Sequence, residues 1–370
     1  MLETMRQSTN PDICKAMLEA VHKKAEQFQI NNGRLPVYME VCGSHTMALA
    51  RTGIKQALKD SVQFVSGPGC PVCVTAQESI DSMIGLAKDE RTIICTFGDM
   101  MRVPGSTKTL LEEKASGKDI RVLYSPIEAI SIAESNLDKE VIFLGIGFET
   151  TIPILAFLVQ MAVEKQMTNF SIWMATKLVE PILRYLLEAA EVQLDGFILP
   201  GHVSIVLGES SYQYLPQEYG MSGVITGFEP AELLSGINKL LDLSLKKEAA
   251  IINDHPSIVT KQGNAVAQEL MHRYFYNSNE AWRGIGNIPS SGMDLKPEYE
   301  RFNAKTKYQV HTVTVKKTKC RCGEVIRGMI SPEKCPLFAK ACHPLHPIGP
   351  CMVSTEGSCS AYYHYMRESY

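Results

Sequence analysis

Apolar residues recur along this chain with two different periods, and the change of period marks out its parts. In DICKAMLEAVHKKAEQFQ (12–29), Met17, Val21 and Phe28 return at helical spacing among charges, which predicts an amphipathic helix. After NNGR the pattern becomes a series of short, continuously apolar runs: LPVYMEV (35–41), SVQFVS (61–66), RTIICTF (91–97) and IRVLYS (120–125). A second series follows: VIFLGIG (141–147), FSIWMA (170–175), GFILP (196–200) and GVITG (223–227). Segments such as TIPILAFLVQMAVEKQ and VEPILRYLLEAAEV lie between them and suit helices packed on a sheet. Strands alternating with helices predict βαβ units and mainly parallel sheets, and strands covered on both faces read as continuous apolar runs.

The expected fold class is therefore α/β, with two Rossmann-like parallel-sheet domains facing a cleft. The first is expected over 35–138 and the second over 139–230, divided near NLDKE. Beyond residue 230 come long helices (AELLSGINKLLDLSLKKEAAI, NAVAQELMHRYFYN), then loops and a cysteine-rich tail. Residues 1–34 with 231–370 are expected to form a third domain, mostly helical or irregular. In open α/β sheets ligands bind beyond the carboxyl ends of the strands. Here those ends run into CGSHT, GPGCPVC, GDMMRVPGS, GFETT and PGHVS, which carry Cys42, His45, Cys70, Cys73, Asp99, Arg102, Glu149 and His202. A site in the cleft follows.

Composition narrows the function classes. Hydrophobic residues make up 45% and charged residues 21% of the 370, ordinary values for a globular protein. A formal charge of −3 offers no basic field for nucleic acid. No apolar run reaches the ~20 residues of a membrane helix, and MLETMRQSTNPDICK has no signal-peptide core. A cytoplasmic location is the expectation. In a reducing compartment eleven cysteines point to metal binding or thiol chemistry rather than a disulfide framework. Five lie in the first hundred residues, and six (Cys320, Cys322, Cys335, Cys342, Cys351, Cys359) fall within forty near the C-terminus, so two separate thiol sites are expected.

Each constellation carries a competing structural reading. Cys42 and His45 could act at one atom or on each other, or be a small core cysteine and a hydrogen-bonded histidine. Cys70 and Cys73 bracket one helical turn, the spacing of a redox dithiol; zinc would need further ligands, and no second Cys-x-x-Cys occurs. Glycine and proline at 67–69 and 71 mark a shaped loop rather than an element interior. GDMMRVPGS and GFETT match neither phosphate-loop pattern, so Asp99, Arg102 and Glu149 act directly or merely tie loops together. His202 is a ligand-facing or a structural histidine. In the tail, Cys322-x12-Cys335-x6-Cys342-x16-Cys359 offers four thiols at wide spacing, which leans toward an iron–sulfur cluster over structural zinc.

Taken together, CGSHT, GPGCPVC, TFGDMMRVPGS, GFETT, LPGHVS and the tail CRCGEVIRG, EKCPLFAKAC and PIGPCMVSTEGSC resemble the HypD family of hydrogenase maturation factors. The resemblance runs from about residue 35 to the C-terminus, and six motifs in this order are highly specific. It implies a scaffold, formed with a small HypC-type chaperone, on which iron receives two cyanides and one carbon monoxide. The Fe(CN)2CO group then passes to the large subunit of a nickel–iron hydrogenase. HypE supplies the cyanide, which HypF makes from carbamoyl phosphate.

Residue by residue, Cys42 matches the cysteine proposed to hold that iron, with His45 beside it. Cys70 and Cys73 match the redox dithiol. Cys322, Cys335, Cys342 and Cys359 match the 4Fe–4S ligands, with Cys320 able to replace Cys322. Met100 and Met101 are candidates for the HypC surface or for core. A relay of electrons from cluster to dithiol to iron is an expectation that requires the two cysteine sites to be close. A ferredoxin-dependent thiol–disulfide oxidoreductase and a zinc-stabilised binding module are the alternatives.

Overall fold

A computed structural model describes residues 9–308 and 318–367. The parallel strands form two sheets. One has five strands in the order β2-β1-β7-β8-β9: β1 Val37–Glu40, β2 Gln63–Ser66, β7 Gly196–Leu199, β8 Gly223–Ile225 and β9 Ile251–Asn253. The other has four in the order β4-β3-β5-β6: β3 Thr92–Thr96, β4 Ile120–Val122, β5 Glu140–Gly147 and β6 Phe170–Thr176. All pairings within both are parallel. The α/β class with two Rossmann-like sheets is as expected. Continuous burial of β5 and β6 explains their unbroken apolar runs.

The sheets divide the chain differently from the boundaries expected at 138/139 and 230/231. The chain lays down β1 and β2, crosses to build β3 to β6, then returns for β7 to β9. The helix Pro11–Asn32, expected with the C-terminal part, packs on the helix Pro230–Lys246 against the five-stranded sheet. Val21 and Ala25 join Leu233, Leu240 and Ile198 in one core there. The helix starts on an Asn10 side chain that accepts from Asp12 N (2.9 Å) and ends on Gly33 at φ 71°.

Residues 275–295, expected as the end of a helix followed by loops, form an antiparallel hairpin of β10 Phe275–Trp282 and β11 Gly286–Leu295. It docks on β6, where the Thr176 hydroxyl both donates to Met293 O and accepts from Met293 N, each at 3.1 Å. Lys177, 1% exposed, pairs with Glu280 of the hairpin at 2.8 Å beneath the Trp282 ring. The described tail is short turns ending in the helix Ser358–Tyr365, which packs on the helix Gly43–Arg51. Among the described residues no helix is long and apolar enough to cross a membrane.

Burial makes one ion pair a test of this frame. Glu40 on β1 is 0% and Lys55 4% exposed, joined Oε1 to Nζ at 2.5 Å, with Lys55 also over the Tyr362 ring of the tail. Removing one partner of such a pair strands a buried charge. Lys55→Met is expected to lower stability by ~3–5 kcal/mol, read from the urea midpoint. The exposed Lys59→Met should move that midpoint by less than ~0.5 kcal/mol.

Candidate functional site

Each sequence motif sits where its strand ends. β1 runs through Val41 into Cys42, which is extended (φ −107°, ψ 132°) and caps the start of the helix Gly43–Arg51. β2 runs through 67–69 into Cys70, which caps the short helix Pro71–Val74. Proline at the first helical position presets that turn and brings residues three apart onto one side. Cys70 and Cys73 are joined by a disulfide, and Cys73 N also donates to Cys70 Sγ at 3.2 Å. Cys70 is 5% and Cys73 0% exposed.

A main-chain contact fuses the two loops. Gly43 N donates to Gly69 O (3.4 Å), and a Cβ on Gly69 would lie 1.8 Å from Val41 O. Only glycine permits that approach. The helix Pro71–Val74 also packs against β5, so loops of one sheet meet the other sheet at its strand ends.

The tail contributes a residue that sequence reasoning missed. The Ser44 hydroxyl donates to Glu356 Oε1 at 2.8 Å, which places a carboxylate over the Cys42 loop. Burial, then the Glu356 charge, push the Cys42 thiol up to about 11. Burial and the same carboxylate raise Asp99, from the loop after β3. Cys42, Asp99 and Glu356 are thus gathered from both sheets and the tail. Cys42 is a neutral thiol at neutral pH, and a bound metal would displace its proton. Glu356 lies 312 residues from Ser44, and no local pattern marks it.

His45 turns toward the β8 loop. Its Nε2–H donates to Thr226 O (3.2 Å) and Gly227 O (3.1 Å), and its buried Nδ1 has no partner among the described residues. Burial pushes the imidazole down to about 4. His45 and the exposed His202 both stack on Phe228, at 4.6 and 4.5 Å. Glu149 follows β5. Its Oε1 accepts from Val179 N (2.7 Å), while Oε2 is buried without a partner. Burial pushes this carboxyl up to about 7. It lines a cavity of about 630 Å³ with Leu178, Arg184, Met271 and Met293, on the hairpin side. Arg102 is exposed, and Met100 and Met101 are core residues, 2% and 6% exposed.

Cys322, Cys335, Cys342 and Cys359 line one small apolar cavity, and so do Cys320 and Cys351. Cys322 Sγ meets Cys351 Sγ at 2.8 Å, and Cys342 Sγ accepts from Ile348 N at 3.3 Å. Hydrogen bonds from Cys320 and Cys351 hold the Cys322 thiol low. An all-sulfur donor set in apolar surroundings fits an iron–sulfur cluster by its chemistry. Among the described residues no group of three or more His, Cys, Asp or Glu is arranged around a single metal ion. The helix Cys322–Ile326 and the turn Pro350–Met352 pack directly on Pro71–Val74, so the disulfide shares one core with Cys322 and Cys351, against which Cys320 and Cys359 pack.

Comparison with known proteins follows this geometry. The family model HypD, described as "Hydrogenase formation hypA family", matches residues 12–366. The Hydrogenase maturation factor HypD of Escherichia coli is 38% identical over 360 residues, 97% of this chain and 96% of that protein. The protein of the same name from Rhodobacter capsulatus is 38% identical over 362 residues, 96% of each chain. That of Cupriavidus necator is 39% identical over 357 residues, 94% of this chain and 93% of its own. By a match of this extent, the chain belongs to the HypD family of hydrogenase maturation factors.

Proposed function

We propose that this chain, with a HypC-type chaperone, forms the scaffold on which iron acquires two cyanides and one carbon monoxide before delivery to a hydrogenase large subunit. HypE would bring the cyanide. The observation that carries this reading is the convergence of Cys42, Asp99 and Glu356 beside a buried Cys70–Cys73 disulfide. Iron is the cargo. A thiolate suits iron that carries cyanide and carbon monoxide, and Cys42 would supply it. As iron binds, the Cys42 proton leaves, and the metal charge offsets the two nearby carboxyl groups. Reduction of the neighbouring disulfide takes two electrons and two protons and gives a dithiol that can return them beside the iron.

The tail cavity would hold a 4Fe–4S cluster through Cys335, Cys342, Cys359 and one of Cys322 and Cys320. When bound, such a cluster supplies one-electron transfer. Cys322, expected as the fourth ligand, already has its sulfur against Cys351, which brings Cys320 into contention. Burial of both sulfurs of the disulfide weighs against an oxidoreductase acting on outside proteins, because thiol–disulfide exchange needs sulfur-to-sulfur contact.

Three measurements test this. Protein purified anaerobically with its chaperone from a maturation-competent strain should show infrared bands in the cyanide and carbonyl stretching region, and Cys42→Ala should lose them. Absence of bands in the unaltered protein would overturn the scaffold. Serine at Cys335, Cys342 or Cys359 should abolish iron–sulfur absorption, and at only one of Cys320 and Cys322. Finally, Glu356→Gln removes a negative charge that disfavours the Cys42 thiolate. The pH profile of Cys42 alkylation in metal-free protein, read on the Cys42 peptide by mass spectrometry, should therefore shift to lower pH.

A further inference from the structure

The turn between β10 and β11 reaches the tail cysteines through a second main-chain contact. Gly284 has φ 69°, and a Cβ built there would lie 2.6 Å from Gly323 Cα; one on Gly323 would lie 2.7 Å from Gly284 Cα. The two chains touch where neither can carry a side chain. The residue before Gly284 is Arg283 and the residue before Gly323 is Cys322, so the contact brings the main chain of an arginine beside that of a cysteine. Arg283, Cys320 and Cys322 line one groove of about 410 Å³.

Three donors of Arg283 are spent on the chain just after Cys73. Its N donates to Val74 O (2.8 Å), its Nε to Thr75 O (2.9 Å) and its Nη1 to Gln77 Oε1 (2.8 Å). Its Nη2 is buried with no hydrogen-bond partner among the described residues. These acceptors are neutral oxygens, so they fix the guanidinium in place without cancelling its charge. A buried N–H left without a partner is uncommon and calls for a reason.

We propose that Arg283 raises the reduction potential of the cluster at the tail cysteines by holding a fixed positive charge against its ligands. This rests on the cluster reading above. One-electron reduction adds negative charge to a set of thiolates already anionic, and a cation in a poorly screened setting favours the reduced form. Charge, hydrogen bonds and exposure around the sulfurs are the levers by which a protein tunes such a centre. Arg283 also anchors the segment that follows the disulfide, so one residue ties the two thiol sites together.

The test is a redox titration of the full-length protein, reconstituted anaerobically, with dithionite supplying electrons through low-potential dyes and electron paramagnetic resonance reading the reduced state. Arg283→Gln should weaken reduction about tenfold, a midpoint lower by ~59 mV for one electron. Arg283→Lys, which keeps the charge but cannot keep all three hydrogen bonds, should stay within about threefold of the unaltered protein. A midpoint unchanged in Arg283→Gln, or lowered equally in both variants, overturns the proposal. If Arg283→Gln assembles no cluster, Arg283→His replaces it. Its midpoint should fall between pH 6 and pH 8 more steeply than that of the unaltered protein, as imidazole loses its charge over roughly that range, and an equal slope overturns the proposal. Unaltered protein with no iron–sulfur absorption refutes the cluster reading itself, and the proposal with it, before any variant is compared.

Discussion

The loop after β2 presses its main chain directly onto the loop after β1, with no side chain between them at Gly69. Parallel pairing of β1 with β2 brings these loops out side by side, and the glycine lets them close the remaining gap. That contact sets Cys42 and the Cys70–Cys73 turn on one shared edge. It also aims the turn at β5, so that the crossing between sheets is filled by a buried disulfide rather than by a flexible linker. Gly284 and Gly323 repeat the device between the hairpin turn and the tail.

Burial works against the charged forms of several groups in the site. Cys42 and Asp99 are pushed toward their protonated forms, and His45 toward its neutral form. A neutral Cys42 thiol and a neutral His45 imidazole avoid the cost of an unpaired charge in a poorly solvated place. Under the proposed function, an arriving cation would displace those protons and draw on the same groups as ligands or counter-charges. Lys177 and Glu280 follow the other strategy, staying close enough to each other to be buried as a pair, and serve to fasten the hairpin.

The strands and the residues at their ends were legible in the sequence because a strand buried on both faces has few other ways to look. CGSHT, GPGCPVC, GDMMRVPGS, GFETT and PGHVS all follow strands or their immediate extensions. Which strand joins which sheet was not legible. A parallel strand is identified by its apolar run, and that run says nothing about its neighbours, so β7 pairs with β1 across more than a hundred residues without a local trace. The hairpin was hidden for a different reason. β10 alternates irregularly between buried and exposed positions, and a register shift between Ser278 and Glu280 breaks its period. Glu356 and Arg283 were missed because each matters only through what the fold sets against it. Cys351 stands outside the four-thiol spacing of the tail, yet lies within the tail cavity.

The carboxylate over Cys42 comes from the far end of the chain, on the segment just before the helix that covers Gly43–Arg51. During synthesis the early strand ends emerge long before it, and folding of early segments proceeds ahead of late ones. Cys42 and its disulfide neighbour can therefore be in place while Glu356 is still to be translated. The grouping of Cys42, Asp99 and Glu356 is complete only in a chain synthesised through its tail, so a truncated product would carry the cysteines without the acid that accompanies them.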